Sequence, residues 1–449
     1  MGIQRRVVRS WGRVAVVALA AVLGIVAGCS WFEGKKAPLP GERISVLGLD
    51  QRLEPDPELA AAAMTLPPAA VNPDWPEAGG EPSHAMQHPA LPEKLRRAWT
   101  ADLGEGSGRY TRVMAPPVVA KGRVYALDGG TQLSALDAAS GKRIWQVDLK
   151  PQDESEGGNG FGGGVAFWND RLYAATGYGQ VLALDPADGK IIWRQAVSAP
   201  VHSPPTVADG RIFAITVENE MAVLSVEDGR RLWGHNGIPE TAGLLGAASP
   251  AVEGEVVVVP YSSGEVFALT VGTGRPLWSD TLAETRRADA VSSLADIRGR
   301  PVIDRGRVLA VGHSGRMAAI DLRNGNHVWE QEIGSMHSPW VAGDYVYVLS
   351  NAGELLCLTR AEGKVRWLHR MPRWEDEKAK SDPIDWAGPV LGGDQLIVLS
   401  STGERVSLAP ATGEPLGREG IGAAAFLGPV IADNTLYILT DDATLAAYR

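Results

Sequence analysis

Cysteine is almost absent from this chain: two in 449 residues, Cys29 and Cys357. A disulfide framework is therefore excluded, and with no Cys-Cys or Cys-x-x-Cys pair so are vicinal-disulfide and dithiol chemistries. Positive charge is also scarce. Lys and Arg number 43 against 53 Asp and Glu, and they form no dense block. A chain of formal charge −10 without a basic patch lacks the electrostatic footprint of a nucleic-acid binder. Catalytic signatures are missing too: there is no G-x-S-x-G, H-E-x-x-H or phosphate-binding loop. One G-x-G-x-x-G match, GNGFGG from Gly158 to Gly163, precedes a β-rich run instead of opening a helix, so it reads as the approach to a strand. His84 and His88 stand four apart in a Pro-flanked stretch and are read as surface histidines, not as a metal pair. Phe and Tyr are few, at 6 and 9, yet Trp reaches 14. So large a residue used so often points to a repeated structural task.

The first 28 residues read as an export signal. Arg5, Arg6, Arg9 and Arg13 precede the apolar run Val14–Gly28, which is too short to span a bilayer comfortably. The run ends in VAGCS, a lipobox in which small residues admit the peptidase and Cys29 offers a thiol for acylation. Loss of these residues removes four arginines and no acid, taking the formal charge from −10 to −14. Acyl chains on Cys29 would anchor the mature chain at about 0.8 kcal/mol per buried methylene. Ser30, not Asp, follows the cysteine, which by the sorting rules of such lipoproteins directs the chain to the outer membrane. Residues 29–94 are rich in Pro and Ala and read as an extended tether, with Trp75 a candidate for pinning onto the folded body. ELAAAAM could form a helical turn there.

From residue 95 to the end the chain repeats. LSALDAASGKRIW ends at Trp145 and LALDPADGKIIW at Trp193, followed by units ending at Trp233, Trp278, Trp329 and Trp367. The gaps are 48, 40, 45, 51 and 38 residues. A seventh unit keeps its glycine, Gly413, but has Gly417 in place of the tryptophan, and Trp99 stands alone upstream. Each unit holds two β-rich runs joined by a polar turn, a second turn, and two more runs. Units of this kind predict an all-β, eight-bladed β-propeller of four-stranded antiparallel blades. The last blade lacks its fourth strand, which the strand near Trp99 would supply, closing the ring and removing two open edges.

Within the repeat, Asp137, Asp185 and Asp321 can accept backbone N–H groups in a turn, with Ser225, Thr270 and Thr359 as weaker substitutes. Gly141, Gly189 and Gly325 supply a positive φ. The tryptophans, Trp99 included, would wedge between neighbouring blades. The turns lack the alternating acids of a calcium loop, and no metal or cofactor is expected. Cys357, in ELLCL, reads as a small buried hydrophobe.

The pattern A-x-D-x-x-x-G-K-x-x-W resembles the tryptophan-docking repeat of eight-bladed quinoprotein propellers. With the lipobox, the chain resembles the BamB family of outer-membrane assembly lipoproteins, in its alphaproteobacterial form. Two segments resemble those with which that family engages the POTRA domains of the insertase BamA. AGLLGAASP occupies the place of a Leu-x-Leu-Arg-Gly-x-Ser-x-Pro loop, with Leu244 at the second leucine, Leu245 at the arginine and Ala242 at the first leucine. SLADIRGRP matches an Asp-x-Asp-x-x-Pro segment, keeping Asp296 and placing Arg298 at the second acid.

Strand order puts every long insertion on the face that carries the crossings between blades, so that face is the expected working face. There Leu244 and Leu245 would form an apolar anchor, with Asp296, Arg298 and Arg300 as a charged rim. PRWEDEKAK, with Trp374, reads as a solvated charged loop on the same face. The resemblance implies a non-catalytic scaffold facing the periplasm. Its partners would be a BamA-type insertase, other assembly lipoproteins, membrane lipid through Cys29, and unfolded outer-membrane proteins. The rival classes are a PQQ-dependent or sugar oxidoreductase and a glycan-binding propeller.

Overall fold

A run such as RVYAL or QVLAL is apolar after its first residue because both faces of its strand are covered. The computed structural model describes residues 53–151, 161–240, 245–283 and 296–449. In it, Glu54–Arg449 makes one unit of eight four-stranded antiparallel sheets, with one extra two-stranded hairpin. Blade 1 is typical, with strands Val118–Ala120, Arg123–Leu127, Gln132–Asp137 and Arg143–Asp148, here lettered a to d from the channel outward. Strands b and c carry the core. Strand d is half exposed, as its alternating burial shows.

Ring closure follows the sequence prediction. Arg97–Asp102 pairs antiparallel with Thr444–Tyr448 and becomes strand d of blade 8. Backbone bonds between Arg96 and Arg449 (2.7 and 2.9 Å) secure the far end of that pairing.

The repeated tryptophan works in two directions. Within its blade it lies opposite a residue of strand c that is small in most cases: Ala135 faces Trp145, Ala183 Trp193, Ala268 Trp278, Ala319 Trp329, Ala447 Trp99 and Cys357 Trp367, while Val223 faces Trp233. Cys357 thus occupies an alanine position, and its burial pushes the thiol pKa well up. Toward the next blade, each indole N–H donates to a carbonyl of the c–d turn. Trp99 reaches Ala138 (3.1 Å), Trp145 Pro186 (2.9 Å), Trp278 Leu322 (2.8 Å), Trp329 Arg360 (2.9 Å) and Trp367 Pro410 (2.9 Å). Trp193 and Trp233 do the same to Val226 (3.3 Å) and Val271 (3.1 Å). The turns themselves are held as predicted: Asp137 Oδ1 accepts from Ser140 N (2.9 Å), and Thr270 Oγ1 from Arg275 N (3.1 Å).

This arrangement explains why Gly417 replaces the tryptophan of blade 7. Its indole would dock on the c–d turn of blade 8. That turn does not exist, because strand d of blade 8 comes from the other end of the chain. The wedge is missing where its seat is missing.

Residues 54–94 are built onto the propeller. Asp56 caps the short helix Pro57–Ala61, accepting from Glu58 N at 3.0 Å, and its own N–H donates to Val365 on the outer edge of blade 6 (2.8 Å). The chain then makes one circuit of the channel and touches the innermost strand of every blade in turn. Asn72 bonds Ile431 O (2.6 Å) and Asp433 N (2.8 Å) in blade 8, and Trp75 exchanges two backbone bonds with Val119 in blade 1 (2.7 and 2.8 Å). Pro76 O accepts from Phe167 N of blade 2 (2.8 Å), and Glu77 Oε1 from Val207 N of blade 3 (2.8 Å). Pro82 O and Ser83 O accept from Val252 N (2.7 Å) and Ile303 N (2.9 Å) of blades 4 and 5. Gln87 O accepts from Trp340 Nε1 of blade 6 (2.9 Å), and Pro89 O from Gly393 N beside blade 7 (2.8 Å). Ala70 then pairs with His88 and Ala90 (2.9 and 2.8 Å), and the circuit closes as a belt.

Candidate functional site: the crossing face and the cavity beneath it

The belt's partners lie toward the a–b turn end of the inner strands, so it closes the channel on the short-turn face. What remains is a cavity of about 390 Å³ between the belt and the crossing face. Trp75, Ala78 and His84 of the belt line one end, and Arg298, Arg300 and His337 line its wall. Trp75 stacks on Trp340 with ring centroids 6.2 Å apart and planes 18° from parallel.

The two segments singled out for docking meet above this cavity. A side chain at Gly246 (φ 102°) would begin 3.0 Å from Arg298 Nε, so the loop after Leu245 lies directly on that arginine. Leu245 is 43% exposed, as an anchor requires. Leu244 and Cys29 lie outside the described residues.

The charged rim is not formed as expected. Asp296 is buried, at 2% exposure, with its carbonyl accepting from His313 N (2.9 Å). Arg298 and Arg300 line the cavity from the stretch just ahead of strand a of blade 5, Val302–Asp304. Arg298 makes a long contact with Met336 Sδ (3.8 Å), and Arg300 N donates to Ser338 Oγ (2.9 Å). Burial lowers the pKa of both guanidiniums, that of Arg300 to about 10, while Asp296 and Asp385 partly offset the effect at Arg298.

His84 and His88 are not at the surface, against the sequence expectation. His84 Nδ1 lies 2.8 Å from Pro301 O, and His88 lies against Pro67 O and Gly393 O (2.6 and 2.5 Å). Both imidazoles are used to hold the belt. Burial, then the charge of Arg300, lowers His84 to about 3; burial with Arg298 and Arg300 lowers His337 to about 4. Glu77 goes the other way. Its desolvation outweighs the bond from Val207 and raises its pKa to about 8, helped by nearby Glu81. None of this was legible in the sequence, where Glu77 is one more acid in a proline-rich stretch. Among the described residues, no group of three or more His, Cys, Asp or Glu is arranged to hold a metal ion.

PRWEDEKAK forms part of a hairpin, Trp374–Asp376 paired with Ser381–Pro383, largely exposed, with Trp374 beside the cavity. Cavity, hairpin and the Leu245 loop therefore share one face.

Comparison with known proteins bears on what this face serves. The structure resembles the crystal structure of BamB from Moraxella catarrhalis with a TM-score of 0.67 at 20% identity, covering 79% of this chain and all of that one. It also resembles quinohemoprotein alcohol dehydrogenase from Comamonas testosteroni, with a TM-score of 0.64 at 17% identity, covering 85% of this chain and 81% of the enzyme. These likenesses establish the shared propeller and no more. In sequence, the outer membrane protein assembly factor BamB of Yersinia pestis is 27% identical over 358 residues, 78% of this chain and 88% of the relative. The family model described as outer membrane protein assembly factor BamB matches residues 129–369, more than half of the chain, and the chain belongs to that family.

Proposed function

We propose that the chain works in outer-membrane protein assembly as a non-catalytic scaffold, held to the periplasmic side of the outer membrane by acyl chains on Cys29. The observation that carries this reading is the family match across residues 129–369, to which the lipobox at Cys29 adds a means of anchoring. Docking on the POTRA domains of a BamA-type insertase is assigned to the crossing face. Leu244 and Leu245 form its apolar anchor, and Asp296 and Arg298 form the second segment against which that loop rests. Arg300 sits deeper and contributes less.

Contact with unfolded outer-membrane proteins is assigned to the outer edges of the blades. These edges carry exposed aliphatics at matching positions, Ile144, Ile192, Leu277 and Val328, each immediately before its tryptophan. An extended segment can add to such an edge by backbone pairing. The N–H of Asp56 already donates to the outer edge of blade 6 in this way.

Affinity capture from detergent-solubilised envelope tests the scaffold. A BamA-type barrel should co-purify with the full-length chain, and Leu245→Asp should reduce its recovery without lowering the thermal midpoint. Absence of that barrel from the eluate, together with dye-linked oxidation of an alcohol or sugar by the purified protein, would overturn the reading.

A further inference from the structure

The cavity holds a buried positive charge for which the described residues supply no counter-charge. A guanidinium keeps its proton under all ordinary conditions, so burial must be offset by pairing. Arg298 feels Asp296 and Asp385, but no acid among the described residues acts on Arg300. Its Nε is buried without a hydrogen-bond partner among the described residues, and its backbone N–H donates to Ser338 Oγ.

Among the described residues, two that line this cavity carry a buried polar atom without a partner, Arg300 at Nε and Trp75 at Nε1, and both atoms are donors. The neighbouring imidazoles, His84 and His337, are held neutral and add no positive charge of their own. Asp385 is the single acid in the lining. Asp385 acts on Arg298, so Arg300 has no acceptor of negative charge among the described residues. The lining also presents flat apolar surface from Trp75, Trp340, Trp386 and Met336, beside polar groups that include Ser350, Asn351 and Arg373, and the volume of about 390 Å³ suits a small organic molecule.

We infer that this cavity binds a small organic oxyanion, its carboxylate or phosphate on Arg300 and the indole N–H of Trp75, its apolar body between the tryptophans. Arg300 is suited to the head group because its planar fork matches two oxygens at once. The inference stands independently of the docking assignment.

Titration calorimetry on the full-length protein in detergent tests it, with 2-naphthoate as the carboxylate probe, phenyl phosphate as the phosphate probe and 2-naphthamide as the uncharged control. Binding of one or both anions with Kd below about 1 mM, and none of the amide, is expected. Arg300→Met should weaken the anion about tenfold or more, and Trp75→Phe, which keeps the ring and removes the donor, by a smaller factor. Thermal midpoints provide the folding control: Arg300→Met should not lower the midpoint, since it removes an unpaired buried charge. Phenyl phosphate binding tenfold tighter than naphthoate would identify a phosphate ester as the source, and the reverse a carboxylic acid. Equal binding of the amide, unchanged binding by Arg300→Met, or binding of inorganic phosphate alone would overturn the inference.

Discussion

Gly141 lies so close to Trp99 that a Cβ at the glycine would sit 2.5 Å from the indole Cδ2. The same closeness recurs between Gly189 and Trp145, at 2.7 Å, so the fit is a rule of the ring.

Two strains can be separated at these turns. Gly141 and Gly122 share a φ of 72°, but a Cβ at Gly122 meets nothing within 4 Å. Gly122→Ala should cost about 1 kcal/mol, from backbone strain alone. Gly141→Ala adds displacement of the tryptophan and should cost about 2 to 4 kcal/mol. Thermal or denaturant unfolding of the two variants checks the difference, and equal costs would contradict the docking account.

The absent tryptophan of blade 7 gives a second contrast. Trp367→Ala empties a buried site and should cost about 3 to 5 kcal/mol. Gly417→Trp should gain nothing, because no c–d turn receives the ring and a Cβ there meets nothing within 4 Å. A change within about 0.5 kcal/mol is expected in urea unfolding.

Glu77 should make stability fall with rising pH. Its folded pKa, about 8, lies above the ordinary 4.5, so the folded chain binds the extra proton between those values and loses stability as pH climbs through them. His84 and His337, lowered to about 3 and about 4, have the opposite slope below 6.5 and oppose Glu77 up to that pH. From pH 6.5 to 8 the Glu77 effect stands alone, with a loss of about 2 kcal/mol at most. Glu77→Gln keeps an acceptor for Val207 N and should abolish that alkaline slope. Unfolding curves at pH 6.5, 7.2 and 8 provide the measurement.

Cys357 should behave as the alanine it replaces. Cys357→Ala should cost less than about 1.5 kcal/mol, and Cys357→Leu more, since the residue lies across from Trp367 on a fully buried strand. A thiol reagent should find Cys357 unreactive until denaturant is added.

The blades were readable because each one repeats a period and a turn chemistry that single residues enforce. Trp145, Gly141 and Asp137 could be assigned their tasks before any coordinates. The belt was not readable, because it meets eight different blades through a few scattered bonds each and so imposes no period on its own sequence. Pro76, Pro82 and Pro89 looked like linker residues, yet they serve where a carbonyl is needed and an N–H is not. That the Leu245 loop and the Trp374 hairpin share one face could be read from strand order. That Arg300 lines the cavity could not, since it is a matter of tertiary path.

The belt also imposes an order on assembly. Asn72 leaves the ribosome long before Ile431, and its seat in blade 8 exists only after the last repeat has folded. A segment made before any blade is therefore among the last to dock, as is the strand around Trp99. Only a finished ring offers all eight partners, so the belt distinguishes a complete propeller from one that is a blade short.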